Sequence, residues 1–156
     1  MPTSIHKYDP SYKQSFIDLN TAWLNEFFEV EEHDRQVFRN IEDTIIKPGG
    51  EIFFCLLDNE VVGTVAMQKV TDGIFELAKM AVAKPFRGRG FSNALMSACI
   101  NFARERSATR IVLLSNTRMV PAIALYRKFG FVEVPLGETD YARADIRMEL
   151  SLVESP

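Results

Sequence analysis

Two kinds of chemistry-bearing residue fall within one run, Ile74 to Ser92. Its second half, Lys84-Pro85-Phe86-Arg87-Gly88-Arg89-Gly90-Phe91-Ser92, has the makings of an anion site. Gly88 and Gly90 lack a Cβ and can turn successive N–H groups inward. A helix starting near Gly90 adds unpaired amides and the positive end of its dipole. Lys84, Arg87 and Arg89 flank the turn with positive charge, which suits a phosphate. The first half alternates, so Glu76, Ala78, Met80 and Val82 share one face of a strand. A carboxylate on that face, ahead of a phosphate cradle, is a candidate for taking up a proton. Short glycine loops before helices are common, so a plain strand-to-helix turn is the competing reading. Farther along, Tyr126 offers a phenol that stays protonated at pH 7, its ordinary pKa being about 10. Ala122, Leu125, Tyr126 and Phe129 also form a core stripe, and on pattern alone packing is the simpler account of the tyrosine.

These residues need elements to hold them. Pro85 cannot continue a ladder, which ends the strand near Ala83. At the front of the chain, residues 5–8 form a short strand stopped by Asp9-Pro10. From Ser11, a candidate cap, the apolar positions Tyr12, Phe16, Leu19, Trp23, Leu24 and Phe27 recur at helical spacing to about Phe28. A second helix runs from about Asp34 through Val37, Phe38, Ile41 and Ile45, and Lys47-Pro48-Gly49-Gly50 stops it. Residues 51–57 and 60–70 are β-rich around an Asp58-Asn59 turn, and Thr71-Asp72-Gly73 delivers the run from Ile74 as the next strand of a meander. A helix over 90–106, with Phe91, Leu95, Ala98 and Phe102 as its buried stripe, leads to a buried strand at 110–115. This strand–helix–strand passage predicts a parallel pair with a right-handed crossover. A helix over 121–130 has proline in its first turn and glycine past its end. Strands at 131–134 and 141–152 finish the chain. The pattern is that of an α/β (α+β) single domain over 1–156, a mixed sheet with helices on both faces.

Composition bounds the function classes. At 156 residues, 47% hydrophobic and 25% charged, the chain suits one compact soluble domain. Its net charge of -3 argues against a general nucleic-acid binder. The charges are segregated, however. Residues 84–128 hold nine basic residues against the single acid Glu105, whereas residues 1–45 hold nine acids against four bases. One half suits phosphates and the other a cation, although solvated helix faces account for many such charges one by one. Cys55 and Cys99 sit in apolar contexts and read as reduced core thiols. His6 and His33 are apart from each other and from both cysteines, so no metal site is expected. The N-terminus shows no hydrophobic signal core and no run is long enough to cross a membrane, so a cytoplasmic location away from membranes is expected.

Three separated pieces together resemble the GNAT superfamily of N-acetyltransferases. They are Glu-Leu-Ala-Lys-Met-Ala-Val at 76–82, Arg-Gly-Arg-Gly-Phe-Ser at 87–92, and Asn116 followed by Pro-Ala-Ile-Ala-Leu-Tyr-Arg-Lys-Phe-Gly-Phe at 121–131. Arg87, Gly90 and Ser92 match the family's acyl-CoA loop, Arg/Gln-x-x-Gly-x-Gly/Ala, with Ser92 a departure whose small side chain should preserve the use of backbone amides. The resemblance implies a GNAT-like mixed, mostly antiparallel twisted sheet of about seven strands with about four helices on both faces. It implies acetyl-CoA as cosubstrate. Backbone groups of Met80, Ala81 and Val82 would pair with the pantetheine arm. Amides from Arg87 through Gly88, Arg89, Gly90 and Phe91 to Ser92 would hold the pyrophosphate, and Asn116 would lie near the reactive end. A Rossmann reading fares worse, because Gly88-x-Gly90-x-x-Asn93 lacks the third glycine.

The reaction so implied moves an acetyl group to a primary amine of a small molecule or protein by direct attack, with Glu76 as base and Tyr126 as acid. An amine of pKa about 10.4 is neutral in only roughly 4 parts in 10,000 at pH 7, so a base is needed. A carboxylate near pKa 4.3 is too weak for that unless desolvated, and a water between Glu76 and the amine is expected. With the family pattern in view, Tyr126 becomes the proton donor to the leaving thiolate. The acceptor is expected beside the first two helices, where Trp23, Phe27 and Phe28 meet the acids Glu26, Glu29, Glu31 and Glu32. Trp23 and Phe27 share a helical face, which core packing also demands. A non-catalytic acyl-CoA-binding sensor module is the alternative, and it would need only the loop. Neither a nucleic acid nor a membrane is expected as partner, and the chain is expected as a monomer or homodimer.

Overall fold

The computed structural model describes residues 3–153, so the outermost residues of the expected 1–156 domain lie outside the described residues. Its strands are β1 (Thr3–Lys7), β2 (Glu51–Leu57), β3 (Glu60–Thr71), β4 (Ile74–Val82), β5 (Arg110–Ser115), β6 (Val132–Val134) and β7 (Ile146–Ser151). The α-helices are α1 (Lys13–Phe27), α2 (Glu32–Arg39), α3 (Phe91–Glu105) and α4 (Val120–Lys128). Among the described residues the strands form one sheet in the order β1-β2-β3-β4-β5-β7-β6. Among those strands only the β4–β5 pair is parallel, as far as the described residues go. This is the mixed, mostly antiparallel α/β sheet expected, with the parallel pair where the α3 crossover requires it.

The apolar run of β2 shows why the sheet must be covered twice. Phe53, Cys55 and Leu57 join a cluster with Leu95, Cys99 and Phe102 of α3. Ile52, Phe54 and Leu56 point the other way, into a cluster with Phe16 of α1 and Val37 of α2. The period-2 alternation of a strand thus sends alternate side chains into two cores. Phe16 and Phe54 are fully buried, each burial contributing about 2–3 kcal/mol. The β2–β3 hairpin closes through Asp58 and Asn59 at φ 50° and 67°, the doubly left-handed pair that matches strand twist.

Three of the boundaries that differ from the sequence expectation do so because a side chain takes over a backbone group. The first strand ends at Lys7, since the Tyr8 amide donates to Glu51 Oε1 at 3.1 Å. Ser11 does not cap α1; its own amide donates to the Asp9 carboxylate at 2.9 Å, opening a short 3-10 turn over Pro10–Tyr12. The last strand begins at Ile146, not 141. Ahead of it the amides of Ala142 and Arg143 donate to the Glu31 carboxylate at 2.9 and 3.3 Å and so never enter a ladder. The second helix is also shorter than expected. It ends at Arg39, and Glu42–Ile46 follows as a π-turn that still buries Ile41 and Ile45.

Candidate active site

The cleft is made by two strands that part. β4 pairs with β5 from Ile74↔Arg110 to Leu77↔Leu113, and no farther. β4 continues to Val82 while β5 stays with β7 as far as Ser115↔Ile146. From Ala78 onward the β5-facing edge of β4 is therefore open, and a cavity of about 490 Å3 fills the gap. A bulge re-aims β4 at the same place: Ala66 faces Ala78 but Thr64 faces Ala81, leaving one extra residue on β4. Lys79 absorbs it at φ 58°, a left-handed conformation that costs a side-chain-bearing residue about 1–2 kcal/mol. Met80, Ala81 and Val82 line the cavity beyond the bulge. The Val82 carbonyl already accepts from Arg87 Nε at 3.0 Å.

At one end of the cavity lies the glycine loop. Gly88 and Gly90 stand at φ 74° and 89°, and α3 starts at Phe91 with Gly90 as an N-cap that offers no side-chain bond. The first amides of α3 are thus left for a ligand or water. Gly88, Gly90, Phe91 and Ser92 all line the cavity. The flanking arginines do not point into the cradle as a pair of free charges. Arg87 is bound to Glu26 of α1 at 2.9 Å and lies over the Phe27 ring, while Arg89 lies over Phe86 and Phe91. Arg87 thereby ties α1 to the loop.

Glu76 lies at the other end, where it lines both this cavity and a second one of about 300 Å3. Burial pushes its carboxyl above the ordinary 4.5, against the pull of Arg147, Lys79 and His33. Tyr126 is buried in the wall of the main cavity, and burial pushes its phenol up to about 12. Asn116 also lines the cavity, but its side chain is engaged: Nδ2 donates to the Arg143 carbonyl at 2.7 Å and Oδ1 accepts from the Arg118 amide at 2.9 Å. Trp23, Phe27 and Phe28 line it too, with Trp23 packed on both phenylalanines at 5.5 and 5.8 Å. Glu29 is exposed and outside the cavity walls. The other acids of that stretch are occupied, Glu26 by Arg87, Glu31 by Arg143 and Glu32 by Arg35 and Arg39.

Sequence reading missed the buried ionic cluster behind the bulge. Asp34, fully buried, accepts both Arg143 guanidinium nitrogens at 2.7 and 2.8 Å and pairs with the Lys79 ammonium. Lys79 also donates to the Tyr141 hydroxyl at 2.8 Å, and the Tyr141 ring meets His33 edge-on at 4.8 Å. Burial pushes the Asp34 carboxyl up, but Arg143 and Lys79 overcome it and hold the group at about 2. The only local signal was Asp34 three residues after Glu31, which forms a reciprocal cap at the start of α2. The partners at 79, 141 and 143 have no sequence relation to it.

A family model described as acetyltransferase (GNAT) family matches residues 17–131, and the chain belongs to that family. Over 103 residues the chain is 37% identical to N-acetylaspartate synthetase from Danio rerio, a match covering 65% of this chain and 36% of that protein. The chain thus spans little over a third of that relative's length. The crystal structure of an acetyltransferase of the GNAT family from Staphylococcus aureus Mu50 superimposes with a TM-score of 0.88 at 21% identity, covering 97% of this chain and 100% of that one. The structure of yncA from Salmonella typhimurium with its cofactor acetyl-CoA does so at 0.76 and 18% identity, covering 100% of this chain and 97% of that one. At these identities the likeness to the two structures is one of fold.

Proposed function

We propose that the chain is an acetyl-CoA-dependent N-acetyltransferase acting on a primary amine by direct attack, with Glu76 as base and Tyr126 as acid. The observation that carries this is the parting of β4 from β5, which opens a single cleft from the glycine loop to Glu76 with Tyr126 in its wall. Acetyl-CoA would supply the activated acyl group. The left-handed glycines and uncapped first turn of α3 suit its pyrophosphate, and the open edge of β4 at Met80 to Val82 suits its amide-bearing arm. Glu76, made more basic by burial, takes the amine proton directly or through one water. Tyr126 keeps its proton in the resting site and donates it toward sulfur. A thiolate forming against the same largely apolar wall is raised by the same desolvation, which narrows the gap between the two groups. Trp23, Phe27 and Phe28 would border the reacting end from α1. Glu29 would act only by long-range attraction of a cation.

The acceptor is a small-molecule or protein amine, and the relative named N-acetylaspartate synthetase supports keeping amino acids in the set to be screened. The test is thiol release from acetyl-CoA across aminoglycosides, polyamines, amino acids and peptides. Release with at least one class is expected, and Tyr126→Phe should lower kcat ten-fold or more at little cost in acetyl-CoA affinity. Tight CoA binding without release on any amine would favour a sensor module instead, and unchanged kcat in Tyr126→Phe would sink the acid assignment.

A further inference from the structure

The second cavity is built differently from the first. It shares Glu76 with the first and lies between β4, the ends of β3 and β7, and the loop that carries Glu138 to Tyr141. Two half-buried, oppositely charged side chains line it, Glu76 and Arg147, and they form no ion pair with each other among the described residues. Arg147 is held in place from behind: Nε donates to the Leu136 carbonyl at 2.7 Å and Nη2 to the Glu138 carbonyl at 3.2 Å. Among the described residues its Nη1 has no hydrogen-bond acceptor and its guanidinium no carboxylate within ion-pair distance, although its charge acts on Glu76. A fixed guanidinium with one edge unused is the arrangement that receives a carboxylate.

The other charges around this cavity are committed or screened. Lys69 is paired with Asp72 at 3.0 Å, and His33 is packed edge-on against Tyr141. Glu138 and Asp140 are exposed at the rim, where water and salt weaken them. Inside, Glu76 and Arg147 are the two half-buried charges facing the space, with Lys79 and His33 adding positive charge near Glu76. A polyamine would meet Arg147 unfavourably, and a protein N-terminus would leave it without an anion.

We infer that the acceptor is a free amino acid bound across Glu76, its amine on the main-cavity side of Glu76 and its α-carboxylate held by Arg147 in the second cavity. This rests on the reading of Glu76 as the base, and it makes Arg147 a specificity-determining residue.

The test is calorimetric titration of the full chain saturated with CoA, using the standard L-amino acids and their α-amides, pairs that differ only in the carboxylate. At least one amino acid should bind ten-fold or more tighter than its amide, and Arg147→Gln should bring that pair to within two-fold. Arg147→Lys, which keeps a charge but loses the fork, should retain part of the preference. A purely structural arginine would weaken both members of a pair alike. Amides that bind as well as amino acids, or a preference that survives Arg147→Gln, overturn the inference. Thiol release on the same pairs separates it from the catalytic reading. Selective amino-acid binding without release sinks the transferase and leaves the site standing. Release from amides as fast as from amino acids keeps the transferase and sinks the site.

Discussion

The two ends of the cleft hold their shape by opposite means. At the glycine loop the groups offered to a ligand belong to the main chain, and they come from one short stretch whose geometry is set by two left-handed glycines and a helix start. At the bulge the shape is set by side chains: Lys79 sits in a strained left-handed conformation and is held there by Asp34 and Tyr141, while Arg143 clamps Asp34 from the other side. A main-chain site tolerates many neighbours, because any residue has an amide. An ionic cluster taken out of water does not, since each charge is tolerable only while its partners remain. The loop end is therefore expected to be robust to most substitutions except at its glycines, and the bulge end fragile at nearly every member.

That contrast can be broken by mutation. Asp34→Asn should be the most damaging change, because it leaves the Arg143 and Lys79 charges buried beside a neutral amide. A loss of about 3–5 kcal/mol in urea unfolding is expected. A loss below about 1 kcal/mol would mean that the cluster does not hold the bulge. Glu76→Gln should lower kcat about 100-fold with the acetyl-CoA affinity unaltered, since it removes the base and leaves the loop intact. Stopped-flow or steady-state thiol release measures this, and a fall in cofactor affinity of the same size would reassign Glu76 to a structural role.

Acid should find the same weak point. The Asp34 carboxyl stands at about 2 in the folded chain against an ordinary 3.8. It therefore contributes about 2 kcal/mol that is present above pH 4 and is lost as the pH falls from about 4 through 2. Unfolding followed by circular dichroism should show that loss in the wild type and a flatter profile over the same window in Asp34→Asn. Gly90→Ala is the smallest effect. With φ at 89° and nothing within 4 Å of an added Cβ, the expected cost is backbone strain of about 1 kcal/mol. A clash would cost more, and thermal unfolding together with acetyl-CoA titration would tell the two apart.

Much of this architecture could be read along the chain. The β2–β3 hairpin, the meander into β4, the α3 crossover and the proline-to-glycine span of α4 follow from local periodicity and turn residues, which act within a few positions. The loop from Arg87 to Ser92 was legible for the same reason. The ends of β1 and β7 were not, because Glu51 and Glu31 draw the amides of Tyr8 and Arg143 out of the ladder from 43 and 112 residues away. Acids that looked available to a substrate, Glu26 and Glu31, turn out to hold Arg87 and Arg143.

By itself, then, the sequence determined the order of the elements, their apolar faces and the glycine geometry at the start of α3, all of which depend on local sterics and burial. The tertiary structure alone decided where β4 leaves β5, which charges cancel one another, and that Glu76 stands between two cavities with Arg147 facing the second. Those are matters of distance between residues far apart in the chain, and charge acts through space.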